Sequence, residues 1–249
     1  MTQSNWRQVM PTAEAYWMNR VLYDIHHVDS HLQRYKADPD TYMAEVPLAA
    51  PGFAEAPAAR ADAPPLVPGQ ALKVMTWNVQ YLAGKRYVFW NDLAQGNDEA
   101  PTQEDMAFSL DEVARVIRDE QPDVVLLQEL DDGAKASDYQ DQLKLLRERV
   151  ADIYPCSTSA FDWKADFVPD PHIVGSVGRQ LATLSRYRIE SAERLQLPEQ
   201  PGNFVSRQFQ PKNALLVSYL AQRDGGQIAV LNTHLDRAVQ ADAPLQHQV

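Results

Sequence analysis

The sequence predicts an α/β domain over residues 72–249, and three stretches carry that prediction. Leu72 to Val79 is rich in β-branched and aromatic residues and reads as a strand. Met106, Leu110, Val113 and Ile117 recur at helical spacing. Val124-Val125-Leu126-Leu127 is a short apolar run flanked by polar residues, which suits a strand covered on both faces. Strand, helix, strand in that order predicts two parallel strands with a right-handed crossover.

The elements follow from the N-terminus. Trp17, Val21, Ile25, Val28, Leu32 and Tyr35 line one face of an amphipathic helix over residues 13–36, which Pro39 stops. This sets an N-terminal helical segment, residues 1–40. Residues 41–71 hold Pro47, Pro51, Pro57, Pro64, Pro65 and Pro68 among alanines; they lack the large side chains of a core and read as a linker. After the first strand comes a loop from Tyr81 to about Pro101. Thr102 and Asp105 have the spacing of a capping box, with Asp in place of the usual Glu or Gln, and Pro122 ends the helix that follows. Asp123 to Glu129 is the second strand. A further helix is expected over Tyr139 to Val150, with Leu143, Leu146 and Val150 inward. Strands are then expected at Gln180–Ser185, Arg188–Glu193, Asn213–Leu220 and Gln227–Asn232, with Asp224-Gly225-Gly226 as a hairpin turn.

Composition limits the function. The 249 residues carry 23 basic and 34 acidic side chains, a formal charge of −11. That balance argues against holding nucleic acid by bulk charge, but not against a hydrolase whose metal supplies local positive charge. The lone Cys156 excludes an internal disulfide framework and reads as a structural or surface thiol. No apolar run reaches the roughly 18 residues that a transmembrane helix needs. Met1 to Pro11 is polar, without the apolar core of a secretory signal, so a cytoplasmic chain is expected.

Three residues stand where chemistry is done in open α/β folds, at the carboxyl ends of strands. Asn78 closes the first strand, Glu129 closes the second, and His234 follows the strand Ile228–Leu231. Alone, each has a plain structural reading: a turn-capping amide, an exposed carboxylate and a hydrogen-bonded core histidine. Asn232 and Thr233 read as shaping the site, and Arg186 as anchoring a loop.

Four stretches in this order carry a resemblance: Met75-Thr76-Trp77-Asn78-Val79, Pro122 to Glu129, Leu184-Ser185-Arg186-Tyr187, and Asn232-Thr233-His234-Leu235. Together they resemble the endonuclease/exonuclease/phosphatase superfamily of DNase I-like proteins, over about residues 72–249. The resemblance implies a four-layer α/β/β/α sandwich and a metal-dependent phosphoester hydrolase. It implies that Glu129 holds Mg2+ (Mn2+ or Ca2+ being alternatives), that Asn78 orients this carboxylate or donates to phosphate, and that His234 donates to the non-bridging oxygens. The implied substrate is a phosphoester: a small molecule, a lipid headgroup or nucleic acid.

The chain also departs from the family pattern. The resemblance leads to an Asp-x-Asn segment and a terminal Ser-Asp-His segment, and neither follows His234; the later His247 is preceded by Gln246. The expectation is an incomplete, inactive chain, short on the order of 10²–10⁴ in rate from the missing base alone. A bare face on the first sheet, open to self-association, is expected with it. Gln80 stands where AP endonucleases carry an extra acidic ligand, which lowers that subtype. Lys85 and Arg86 could contact phosphate but read as a solvated loop tip. The N-terminal segment is similar to the small subunit of protocatechuate 4,5-type extradiol dioxygenases; His27 and His31, one helical turn apart, have no third ligand. The rival reading is a non-catalytic interaction protein built on the half-sandwich, with residues 13–36 docking a partner.

Overall fold

The computed structural model describes residues 63–84, 87, 99–197 and 209–235, the helical positions Gln33 and Ala37, and the two-residue strand β1 (Ala58–Ala59). The expected helix over residues 13–36, apart from Gln33, lies outside the described residues, as do His27, His31, Lys85 and Arg86. The chain clusters into two units, Met1–Gly52 with Gln200–Gln208 and Phe53–Glu199 with Phe209–Val249. The elements below belong to the second.

In chain order they are β2 (Val74–Asn78), α1 (Gln103–Glu120), β3 (Val124–Asp131), α2 (Gln142–Val150), β4 (Cys156–Val168), β5 (Gly175–Ser185), β6 (Ile189–Gln196), β7 (Ala214–Ala221) and β8 (Gln227–Thr233). Two sheets form, one of five strands in the order β1-β4-β5-β3-β2 and one of three in the order β6-β7-β8. β2 and β3 are parallel and joined through α1, as the strand–helix–strand order predicts. The remaining pairs are antiparallel.

Local chemistry sets the boundaries. Thr102 caps α1: its hydroxyl accepts from the Asp105 amide at 3.1 Å and donates to the Asp105 carboxylate at 2.8 Å. Gln121, in the left-handed region, ends the helix with its amide on the Ile117 carbonyl. α2 starts later than the apolar spacing suggests. Asp138 and Tyr139 both have positive φ, and Asp141 caps the helix by accepting from the Lys144 amide at 2.9 Å. At the hairpin between β7 and β8, Gly225 takes φ +85° and the Asp224 carboxylate accepts from the Gly226 amide.

The main core lies between the helices and the five-stranded sheet. Leu110, Val113 and Ile117 of α1 and Leu143, Leu146 and Val150 of α2 pack against Val125, Leu127, Leu130, Ala182 and Leu184. The other face is covered by the three-stranded sheet. Val124, Leu126 and Cys156 meet Ile189 and Leu220 there, Ala160 and Leu181 meet Leu216, and the Thr158 and Ser218 hydroxyls bond at 2.9 Å. The expectation of a bare sheet face is thereby corrected, and with it the case for self-association through that face. The helices on one side and β6 to β8 on the other bury both sides of β3, leaving every residue of that strand buried except Glu129.

β4 is the longest strand and was not expected from the sequence. Its first half, Cys156 to Ala160, is buried while holding Ser157, Thr158 and Ser159. Thr158 faces the second sheet, where it bonds Ser218, while Ser157 and Ser159 pair with Leu184 and Ala182 on the helix side; small hydroxyl residues thus stand on both faces, and the apolar alternation that marks a strand is absent. Among the described residues no helix is long and apolar enough to cross a membrane.

Candidate active site

The site is built from strand ends and from one irregularity in β3. Up to Leu127 the strand pairs in step with β5, Leu127 opposite Ala182; the next pair is Leu130 with Gln180, so β3 carries one extra residue. Glu129 takes φ +57°, a left-handed conformation that a non-glycine residue adopts only at a cost. The bulge puts Leu127 and Leu130 both into the helix-side core, although in a regular strand they would face opposite ways. Gln128 and Glu129 therefore turn together toward the second sheet.

Asn232 of β8 fixes the two sheets at this point. Its buried amide donates to the carbonyls of Leu127 and Ala182, each at 2.9 Å, and accepts from Gln128 Nε2 at 2.7 Å. Two residues on, His234 is carried over Glu129. Its Nε2 lies 3.1 Å from Glu129 Oε1 and 3.3 Å from Asn78 Nδ2. Asn78, the last residue of β2, accepts from the Gln80 amide through Oδ1 at 2.9 Å, which leaves its Nδ2 aimed at the same place. The turn after it is unusual: Gln80, Tyr81 and Leu82 have φ of +48°, +58° and +55°. Buried Leu82 and a bond from Gln142 Nε2 to the Tyr81 carbonyl pin that turn.

The three side chains singled out in the sequence thus converge from three strands in two sheets. Burial pushes the Glu129 carboxyl up, but hydrogen bonds from His234 and Asn78 and the positive charges of His234 and Arg179 outweigh it, and the group stays below the ordinary range. Glu129 is therefore an anion at neutral pH. Behind it, burial raises Asp131 to about 7, with Asp162 and Glu129 adding to the rise and Ser137 and Arg179 opposing it. The Tyr81 hydroxyl is likewise pushed up by burial, while Arg179 opposes the shift.

Asp162, Arg179, Asp131 and Tyr81 were not singled out from the sequence. Arg179 Nε stands 2.9 Å from Asp162 Oδ2, with the Asp162 side chain fully buried. The available signal was a charged residue inside a strand-like run, Phe161-Asp162-Trp163 and Gly178-Arg179-Gln180, where ionised side chains seldom sit unpaired. Arg186 lies at the other end of the sheet. Its amide donates to the Asp123 carbonyl, its guanidinium to Gln121 Oε1, and it stacks 5.9 Å from the Tyr154 ring. Gln80 enters the site through its backbone only among the bonds observed.

A divalent cation is the group to test against this donor set. Among the described residues no three His, Cys, Asp or Glu side chains gather around one point. Mg2+ does not need them, because it is commonly held by one or two carboxylates, waters and substrate phosphate. One ionised carboxylate with an amide beside it fits that mode.

The chain matches the model of the Endonuclease/Exonuclease/phosphatase family over residues 75–246. Several solved structures are similar to it. An endonuclease/exonuclease/phosphatase from Beutenbergia cavernae DSM 12333 is 25% identical, with a TM-score of 0.45 over 68% of this chain and 39% of that one. Truncated TDP2 from Caenorhabditis elegans is 16% identical, with a TM-score of 0.41 over 68% and 48%. The human Nocturnin catalytic domain with bound sulfate is 19% identical, with a TM-score of 0.40 over 68% and 51%. This chain thus spans about two fifths to one half of those chains. No curated protein matches it. With its two-sheet α/β fold and a match covering most of its length, the chain belongs to the endonuclease/exonuclease/phosphatase family.

Proposed function

We propose that this chain carries the metal- and phosphate-holding groups of a divalent-metal-dependent phosphoester hydrolase, with Mg2+ as the first candidate ion, Glu129 as its ligand, and Asn78 and His234 as the groups that hold the phosphoryl oxygens; with no Asp-x-Asn or Ser-Asp-His segment after His234, its turnover falls on the order of 10²–10⁴ below that of a chain with the base. The observation that carries the proposal is the meeting of His234 Nε2 with Glu129 Oε1 at 3.1 Å and with Asn78 Nδ2 at 3.3 Å. Family membership supports the reaction class, since the family gathers hydrolases of phosphoesters.

When bound, the ion would neutralise phosphate charge and stabilise the charge that builds on the non-bridging oxygens. The side chains do the rest. Glu129 is ionised and ready as an oxygen ligand. Asn78 is held by its own turn, so its Nδ2 stays directed without reorganising. His234 is placed by the Asn232 tie between the sheets, and its ring nitrogen can pass from the carboxylate to a phosphate oxygen. The substrate class at this level is a phosphomonoester or phosphodiester, whether on a small molecule, a lipid headgroup or nucleic acid.

The test reads the ion first and turnover second. Mn2+ binding followed by electron paramagnetic resonance is expected for the full chain and lost in Glu129→Gln. Hydrolysis of bis-p-nitrophenyl phosphate with Mg2+ is expected to stop with EDTA and to fall about 10²-fold or more in the same variant. Equal Mn2+ binding by the two proteins overturns the assignment of Glu129. Hydrolysis that EDTA does not touch overturns the metal dependence.

A further inference from the structure

Three consecutive residues in the turn after Asn78 have left-handed backbone, Gln80 at φ +48°, Tyr81 at +58° and Leu82 at +55°, and none of them is glycine. Side chains with a Cβ disfavour that region, bulky ones most, and such residues persist only where their surroundings hold them. Here two bonds fasten the turn to β3 on either side of Glu129. Before Glu129, the Val79 amide donates to the Gln128 carbonyl at 3.1 Å. Beyond Glu129, the fully buried Gln142 accepts from the Asp131 amide at 2.9 Å and donates to the Tyr81 carbonyl at 2.5 Å. Leu82 packs into the helix-side core. The half-buried Tyr81 is left facing Arg179, which hydrogen-bonds its hydroxyl and lends positive charge to Glu129.

We infer that the Tyr81 hydroxyl is a third donor to the phosphoryl oxygens, beside Asn78 Nδ2 and His234 Nε2; the inference rests on the hydrolase reading given above and adds a residue to it. A guanidinium has only N–H groups to offer, so the phenol oxygen is the acceptor in its bond with Arg179. The O–H is what the tyrosine itself presents to an incoming anion. A cation behind the oxygen strengthens that O–H as a donor. Burial keeps the phenol protonated across the neutral range, so it stands near Glu129 as a donor and not as a second anion. A tyrosine kept only to fill space gains nothing from a strained backbone tied down around Glu129. A donor gains a fixed position, and fixed donors stabilise charge building on phosphate without reorganising.

The experiment compares the full chain with Tyr81→Phe, which keeps the ring and removes the hydroxyl. Inorganic phosphate is titrated calorimetrically into each protein with Mn2+ present. Phosphate affinity is expected to fall about tenfold in the variant, while Mn2+ binding by electron paramagnetic resonance matches wild type. Hydrolysis of bis-p-nitrophenyl phosphate with Mg2+ is expected to fall about 10²-fold. A crystal structure of wild type with Mn2+ and phosphate is expected to place Tyr81 Oη within about 3 Å of a phosphate oxygen, and it decides the matter should Tyr81→Phe fail to fold. Unchanged phosphate affinity, a parallel loss of Mn2+ binding, or an Oη more than about 3.5 Å from every phosphate oxygen overturns the inference. Wild type that binds phosphate but does not cleave the diester counts against the hydrolase reading alone, and the phosphate titration still decides the role of Tyr81. Wild type that binds no phosphate overturns both.

Discussion

The two ends of β3 do different work. From Val124 to Leu127 the strand pairs without a break, parallel with β2 and antiparallel with β5, and all four side chains are buried. Beyond Leu127 the register slips, Glu129 turns left-handed, and Asp131 is buried with its carboxyl pushed up to about 7. The first end obeys every local rule of a covered strand; the second breaks several at once. Consistency across levels makes a structure stable, and its local failure marks the place where geometry has been obtained at the expense of stability.

The sharpest way to test that contrast is to damage each end in turn. Leu127→Ala removes a fully buried side chain from the helix-side core and is expected to cost about 3–5 kcal/mol in urea unfolding. Glu129→Gln, two residues away, is expected to stay within about 0.5 kcal/mol while abolishing Mn2+ binding. Equal losses at the two positions would erase the distinction.

The boundary between the two ends is held by Asn232. Asn232→Ala leaves two buried carbonyls and Gln128 Nε2 without this partner, and a loss of about 2–3 kcal/mol is expected in the same measurement. Because the amide also places His234, hydrolysis is expected to fall more steeply than the folded fraction.

Asp131 gives the irregular end a pH signature. Its folded pKa of about 7 lies above the ordinary carboxyl value, so the folded state binds more protons than the unfolded state in the window between them. Stability is therefore expected to fall as pH rises from about 4 to 7 and to level off above that, by about 4 kcal/mol in all. Asp131→Asn cannot ionise and is expected to flatten this slope in EDTA-treated protein. A slope unchanged by the substitution would assign it to other groups.

How far the sequence was legible follows the same divide. The regular elements announce themselves: Thr102 with Asp105, the helical spacing from Met106 to Ile117, and the run Val124–Leu127 each carry a local signal that the packed structure obeys. Asn78 and His234 were legible as strand-end positions and all three residues as a motif, and they meet in space; Glu129, expected to close its strand, instead lies in the bulge two residues before the end of β3. What the sequence hid was non-local. The β3 bulge depends on how β5 pairs with it, and the first half of β4 is buried on both faces with small hydroxyl residues among its side chains, so it carries no apolar alternation. Asp162 and Arg179 are brought together where β4 inserts Asp162 between the pairs of Phe161 with Gln180 and Trp163 with Arg179. Periodicity does not report any of these.

The smallest effect separates strain from chemistry at one residue. At φ +57°, Glu129 bears the left-handed penalty of a Cβ-bearing residue, which glycine escapes. Glu129→Ala and Glu129→Gly both remove the carboxylate, and both are expected to lose Mn2+ binding. Only the second relieves the backbone, so Glu129→Gly is expected to be more stable than Glu129→Ala by about 1 kcal/mol, less the extra entropy of glycine in the unfolded chain. At a regular strand position the order reverses, because glycine there is the costlier residue. Thermal unfolding of the two variants, with the same pair made at Leu126, reads both signs. If alanine is the more stable at both positions, the bulge carries no strain, and the irregular end of β3 differs from the regular end in register alone.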